Sequence, residues 1–381
     1  MTVMMDLWEC LDKDSPHQSY GDVEQRRLHF LNQKAPRIWK QITEFAGGTH
    51  LAQVGFRSVD DQFPLDQLMI QNAETLIPTF IKECSHDKVV DDRPIYWGRL
   101  LTQYLFNWCN RGLIPRAAKT DLCSIHEITS RHYSNETARS APITEPRVIL
   151  TAFDPFLLNT NFERSNPSAS IALTLAEIYQ DSVPINVFIF PVRYRDFNKG
   201  MVEQILKPRF EKDPLFVLTM SMGRDDFELE RFVGRRRSSR ALDNLDFSPV
   251  RNGRNPPCLT KSPEFLEFTL PTEIFTDIRG PWKTLDNRKV ATKNRGEFES
   301  LSLKALKGEV CIRGSGGGFL SNEIAYRTRL LQLQMNKSFP LGHVHVPRIS
   351  EFRPSEMWQM VRQTAQILDR LLENCRSRES C

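Results

Sequence analysis

The sequence has no apolar run long enough to cross a bilayer, which sets aside a membrane-spanning role. Its eight cysteines (Cys10, Cys84, Cys109, Cys123, Cys258, Cys311, Cys375 and Cys381) include no C-x-x-C pair and no Cys/His cluster at zinc spacing. That excludes a zinc-finger reading and favours a reducing compartment over a disulfide framework; the expectation is a cytoplasmic chain. Charge is nearly balanced at a formal +4, too little on its own to imply a nucleic-acid partner. No dinucleotide fingerprint occurs, because Gly314-Ser-Gly316-Gly317-Gly318 has the wrong spacing, and no Gly-Lys-Ser/Thr follows to make a phosphate loop. Internal repeats and low-complexity tracts are lacking. The opening Met1–Asp6 has no basic stretch, so no secretory signal is expected, and the sequon Asn135-Glu-Thr137 is read as chance.

What is present divides in two. At 381 residues the chain is long enough for two domains, and 40% hydrophobic content can fill their cores. Residues 1–140 read as a mainly helical N-terminal domain of unknown role. Val23 to Ala46 carries apolar residues at helical spacing and is stopped by Gly47-Gly48; Leu65 to Cys84 and Ile95 to Trp108 read the same way. Trp8, Trp39, Trp97 and Trp108 supply bulky apolar anchors. The polar stretch Ser130 to Pro146, with Pro142, reads as a linker.

From residue 141 to 381 strands alternate with helices, which predicts an α/β domain with a mostly parallel sheet. The expected strands are Val148–Phe153, Ile185–Phe190, Leu215–Thr219, Val310–Ile312 and Val344–Val346. Helices are expected from Asn166 to Ile178, Phe197 to Leu206, Ile324 to Leu333 and Ser355 to Leu372. Residues 235–300 read as a long excursion, a lid or subunit contact. Sites in such sheets form at the carboxyl ends of the strands.

Three side chains could carry acyl-transfer chemistry. Ser321 follows a strand-like run and a glycine turn at the start of a helix, where an exposed hydroxyl would have backbone N–H groups beside it. The same position also suits a helix N-cap. His343 and His345 lie two apart in a short strand and so share a face; either could be a base, or a buried core histidine. In Phe227-Glu-Leu-Glu230 the acids alternate with apolar residues, giving Glu230 either a solvated face or a histidine-orienting role. The five arginines between Arg231 and Arg240 could hold phosphate, but only Phe232 interleaves with them, and nucleic acid is not expected.

The order of these segments resembles the pyroglutamyl peptidase I (pyrrolidone-carboxylate peptidase) family over residues 147–372. Thr151-Ala-Phe-Asp-Pro-Phe156 resembles its Thr-Gly-Phe-x-Pro-Phe, and Asn166-Pro-Ser168 its Asn-Pro-Ser. Pro191-Val192 and Ser221 to Arg231 have counterparts. Gly317 to Tyr326 resembles the motif of the nucleophilic cysteine, and His345-Val-Pro347 that of the catalytic histidine. The resemblance implies a three-layer α/β/α sandwich, Ser321 as nucleophile, His345 as base and Glu230 as its orienting acid. It implies Phe153 and Phe156 as walls of a pocket for the pyrrolidone ring, with Asn166 holding that corner. It also implies no metal or cofactor, a peptide with a blocked N-terminus as partner, and self-association. The sequence departs from the family in having Ser321 for cysteine, Leu157-Leu158 for glycines, Met220 where bacterial members often have glutamine and Arg235 where they usually have asparagine. Three functions follow: a pyroglutamyl-peptidase-like hydrolase, a catalytically silent relative that binds a peptide end, or a scaffold acting through the helical domain.

Overall fold

The structure, a computed structural model, describes residues 23–48, 65–109, 115–135, 147–250, 254–271, 275 and 277–379. Trp8 and most of the expected linker, residues 136–146, lie outside the described residues. The chain separates into two compact units, Met1–Tyr133 with Pro155–Ser165, and Ser134–Asp154 with Asn166–Cys381.

The first unit is helical: α1 Val23–Lys34, α2 Pro36–Gly48, α3 Leu65–Cys84, α4 Asp92–Cys109 and α5 Arg116–Thr129, with a small antiparallel hairpin of β1 Ser85–His86 and β2 Val89–Val90 between α3 and α4. The single helix expected over Val23–Ala46 is broken at Ala35. Pro36 has no N–H to give the helix, but it is well suited to start the next one. Trp39 and Trp97 are buried here as anchors. The segment Pro155–Ser165, expected with the second domain, belongs to this unit. Trp97 stacks on Phe162 (5.7 Å, 6°) and its indole N–H donates to the Phe162 carbonyl at 3.3 Å. Arg93 grips Asp91 through two bonds and also donates to the Glu163 carbonyl at 3.2 Å. Phe156 therefore belongs to the helical unit and Phe153 to the other.

This unit carries a pH-sensitive group. His126 is wholly buried on α5; Nε2 lies 3.0 Å from Asn72 Oδ1 and Nδ1 lies 3.4 Å from Gln103 Nε2. Burial pushes its imidazole down to about 4; Glu127 opposes that effect, while Arg99 and Arg131 add to it. In the unfolded chain the ring takes its proton near 6.5, so the unfolded state binds more protons between those values. Stability is therefore full above pH 6.5 and falls as pH drops toward 4, by ~3 kcal/mol from this group. Thermal melts across this range should show a steeper fall for the natural chain than for His126→Gln. Equal slopes would refute the assignment.

The second unit is the α/β sandwich. Its strands and helices are β3 His132–Ser134, which straddles the boundary, β4 Val148–Phe153, α6 Pro167–Ile178, β5 Ile185–Phe190, α7 Tyr194–Asn198, α8 Met201–Phe210, β6 Phe216–Met222, β7 Phe227–Glu230, β8 Phe232–Gly234, β9 Phe265–Glu267, β10 Thr284–Asn287, β11 Lys289–Thr292, β12 Gly296–Glu299, β13 Cys311–Arg313, α9 Leu320–Gln334, β14 Leu341–Val346 and α10 Pro354–Glu379. The main sheet runs β10-β7-β14-β6-β4-β5-β3. The pairs β4–β5, β4–β6, β6–β14 and β7–β10 are parallel, while β7 runs antiparallel to β14. Strands β4, β5 and β14 are buried at every residue, as expected for a sheet covered by helices on both faces. Helix α6 packs with α10, and α8 with α9, giving the two outer layers.

Three expectations need adjustment, and one about Asn135 holds. The helix expected over Phe197–Leu206 is two helices, because Gly200 adopts a left-handed conformation (φ +78°) between them. The strand before the glycine turn, β13, is not in the main sheet; it joins β11 and β12 in a separate antiparallel sheet. Much of the 235–300 excursion is ordered, supplying β9 to β8, β10 to the sheet edge and the β11–β12 hairpin. Asn135 is fully buried, with its side-chain amide donating to the Ala176 and Val183 carbonyls and accepting from the Ile185 N–H. That leaves no access for a glycan and agrees with the chance reading of the sequon.

Candidate active site

The antiparallel register of β7 on β14 sets Glu230 opposite His343 and Glu228 opposite His345. Alternation along both strands then places all four side chains on one face of the sheet. His345 Nδ1 meets Glu230 Oε1 at 2.6 Å, and both groups are buried. Glu230 is therefore not on a solvated face. The Asn287 side chain, opposite Glu230 on β10, also donates to Oε1 at 3.3 Å and to the Ser315 carbonyl at 3.1 Å. Among the described residues, no side chain is hydrogen-bonded to His345 Nε2.

His343 has a different role. Its Nδ1 lies 2.8 Å from Thr219 Oγ1 and its Nε2 lies 2.9 Å from Ser221 Oγ. Burial, with His345 beside it, holds the ring well below its usual range, so it is a neutral, doubly bonded core residue. It packs edge-on to His345 with ring centroids 4.7 Å apart. Of the two histidines, the geometry leaves only His345 with a nitrogen to offer.

Ser321 is not a helix N-cap. Helix α9 begins at Leu320 with Phe319 as its cap residue, which puts Ser321 inside the first turn. N–H groups of that turn have no helical carbonyl to reach. The Ser321 hydroxyl is half-buried and donates to the Gly316 carbonyl at 3.2 Å. A β-carbon on Gly316 would stand 3.6 Å from His345 Cε1, 3.6 Å from Glu230 Cγ and 3.7 Å from the Asn322 α-carbon. One residue of the glycine turn thus lies beside Glu230, His345 and the residue next to Ser321.

Asn322 and Ser315 clamp that turn. The Asn322 amide donates to the Gly234 carbonyl (2.6 Å) and accepts from the Gly234 N–H (3.0 Å). The Ser315 hydroxyl donates to the Phe232 carbonyl (3.0 Å) and accepts from the Phe232 N–H (3.1 Å). Such contacts need bare backbone: a β-carbon at Gly314 would lie 2.3 Å from Asn322 Oδ1 and 2.4 Å from the Gly234 nitrogen. Gly317 takes a φ of +86°, which a side chain would strain.

Four of the five arginines in the run are consumed internally rather than offered to phosphate; Arg240 is exposed. Arg231 pairs with Asp286 (3.2 Å), and Arg235 and Arg236 both reach Glu264. Arg237 makes two bonds of 2.6 Å to Glu323 of α9, which also holds Arg327. Arg237 further lies over the Tyr194 ring at 4.9 Å. These buried pairs brace the start of the helix that carries Ser321.

Phe153 is buried at the end of β4 and stacks on Phe197 (6.2 Å, 8°). Asn166 caps α6, accepting from the Ser168 N–H and hydroxyl while donating to the Asp154 carbonyl at 3.0 Å. It pins the turn after β4 to α6.

The family model described as PA0049, C-terminal domain, matches residues 147–266 and 272–350, just over half of the chain. The chain belongs to this family. A Pseudomonas aeruginosa (strain PAO1) relative, uncharacterized protein PA0049, is 25% identical over 362 residues, 69% of this chain and 64% of that protein. This chain thus spans less than two thirds of that relative's length. The pyrrolidone-carboxylate peptidase of Fusobacterium nucleatum is 22% identical over 214 residues, 54% of this chain and 79% of that one. Solved pyrrolidone carboxyl peptidases from Pyrococcus furiosus (19% identity, 60% of this chain, 99% of that chain, TM-score 0.42) and Thermococcus litoralis (17%, 60%, 96%, 0.40) are also similar.

In this member of the PA0049 C-terminal-domain family, the site extends beyond the residues the sequence suggested. Asn287 and Ser315 went unread, and Glu228 was read only as part of an acidic face. Asn287 lies on β10, some 60 residues from Glu230, inside the stretch without clear strand or helix periodicity. Glu228 carried a signal, since it shares a face with Glu230, but nothing in the sequence placed His345 across from it. Burial, then neighbouring Glu230, hold the Glu228 carboxyl above its ordinary range.

Proposed function

We propose that this chain is a serine-dependent hydrolase that releases a pyroglutamyl, or closely related cyclic acyl, group from the N-terminus of a peptide. The observation that carries the reading is the buried 2.6 Å pair of His345 Nδ1 and Glu230, with Nε2 left to act and Ser321 one glycine away. In this reading Nε2 takes the Ser321 proton as Oγ attacks the scissile carbonyl, then gives it to the departing amine. Glu230 fixes the tautomer and offsets the charge that forms on the ring. First-turn N–H groups of α9 stabilise the oxyanion. Water activated by His345 then frees the acyl group from Ser321. Phe153 supports an apolar wall for the cyclic group, and Asn166 supports the turn that follows it. The kinship with a protein named pyrrolidone-carboxylate peptidase supports this choice of substrate.

A second reading has one observation in its favour: the Ser321 hydroxyl is turned to the Gly316 carbonyl, which suits a binder without turnover. A fluorogenic pyroglutamyl amide separates the two. The hydrolase reading expects slow turnover by the natural chain that falls to background in Ser321→Ala. A natural chain that binds the amide but releases nothing would defeat it.

A further inference from the structure

We infer that Glu228, Glu230 and His345 form a binding site for a divalent transition-metal ion of the Zn²⁺ class. One ligand atom from each of the three lies within 4.8 Å of the other two. The register brings them together without distortion, because Glu228 sits directly across from His345 and Glu230 is the next residue on the same face.

Two further observations point to a cation rather than to an incidental cluster. The Glu230 side chain is completely buried, and its Oε2 has no hydrogen-bond partner; Glu228 Oε2 is likewise buried without one. A buried carboxylate oxygen left bare is costly, and a cation between the two would satisfy both. The donor set of one imidazole nitrogen and carboxylate oxygens matches the ligands zinc takes at about 2.0–2.2 Å. Asn287 already holds Glu230 Oε1 from behind, the kind of outer contact that fixes a metal-binding carboxylate. Arg224 is the opposing charge. It reaches Glu228 Oε2 only at 3.8 Å, and its side chain is mostly exposed, so it can swing away. His343 is excluded as a further ligand by its bonds to Thr219 and Ser221.

An ion seated there would replace the proton between His345 and Glu230. If the hydrolase reading holds, that disables the base, and the metal is an inhibitor. The binding itself does not depend on that reading.

The test uses the full chain, metal-free, with accessible thiols alkylated so that cysteines cannot compete. Titration with Co²⁺ should give one equivalent of saturable binding. Its ligand-field absorption should lack the intense thiolate band, and Zn²⁺ should abolish it. Glu228→Gln should weaken binding at least about tenfold, since losing a direct ligand should cost no less than losing an outer contact. Ser321→Ala should bind as the natural chain does. Zn²⁺ should raise the melting midpoint of the natural chain but not of Glu228→Gln or Glu228→Ala, with far-UV circular dichroism confirming that both fold. No saturable binding, or affinity unchanged in both Glu228 variants, would overturn the site. Metal binding by a chain that never cleaves the amide would leave this site standing and remove the hydrolase reading alone.

Discussion

Ser321→Cys is expected to cleave a pyroglutamyl amide on the order of 10²-fold faster than the natural chain, with KM changed little. The reason lies in when the proton moves. A free thiol ionises near pH 8.5, and a helix N-terminus with a histidine nearby lowers that further. Ser321 offers both: it is in the first turn of α9, and Gly316 links it to the surroundings of His345. A thiolate is already deprotonated when it attacks. A serine hydroxyl must break its bond to the Gly316 carbonyl and deliver its proton to Nε2 during the reaction. Native thiols should interfere little near this site, because burial pushes Cys258 and Cys311 up to about 12. The measurements are kcat and KM for both forms, with the alkylation rate of the introduced thiol against pH. A variant no faster than Ser321→Ala, carrying a thiol that alkylates like an ordinary one, would show that the turn does not activate a nucleophile.

The sequence made some of this arrangement legible and hid the rest for physical reasons. Val148–Phe153 and Ile185–Phe190 were readable because a strand buried on both faces must be continuously apolar. Asn166-Pro167 was readable because an N-cap and a proline at the first turn are both local preferences. From its local position alone Ser321 could be located but not assigned between cap and nucleophile, since that depends on where the helix starts by a residue or two. The strand pattern alone could not separate His343 from His345, which only the family resemblance distinguished, because their partners Thr219, Ser221 and Glu230 come from strands more than a hundred residues away. Strand β13 was readable as a strand but not as part of a separate sheet, since pairing partners are long-range information. The adherence of Pro155–Ser165 to the helical unit had no local signature at all; it rests on Trp97 and Arg93.

Glu230→Gln should lower kcat about 10²- to 10⁴-fold while leaving KM nearly unchanged. Glu230 does not touch the substrate in this mechanism; it is a positioning residue that acts through His345. Two functions can be told apart because Asn287 donates to the same oxygen that His345 meets. A glutamine in this place would keep its carbonyl toward Asn287 and the ring, so shape, burial and tautomer survive and only the negative charge is lost. Glu230→Asp makes the opposite change, keeping the charge but pulling it back by a methylene from a 2.6 Å contact. If the charge on the acid matters most, Asp retains more activity than Gln; if the fit to Nδ1 matters most, the order reverses. Melting midpoints of the two variants provide the structural control, and a purely architectural Glu230 would move those while leaving kcat alone. The same pair in the Ser321→Cys background should lose less for Glu230→Gln, because a thiolate has already given up its proton and asks less of the base. An equal loss in both backgrounds would mean that Glu230 acts on something other than the proton passed from position 321 to His345.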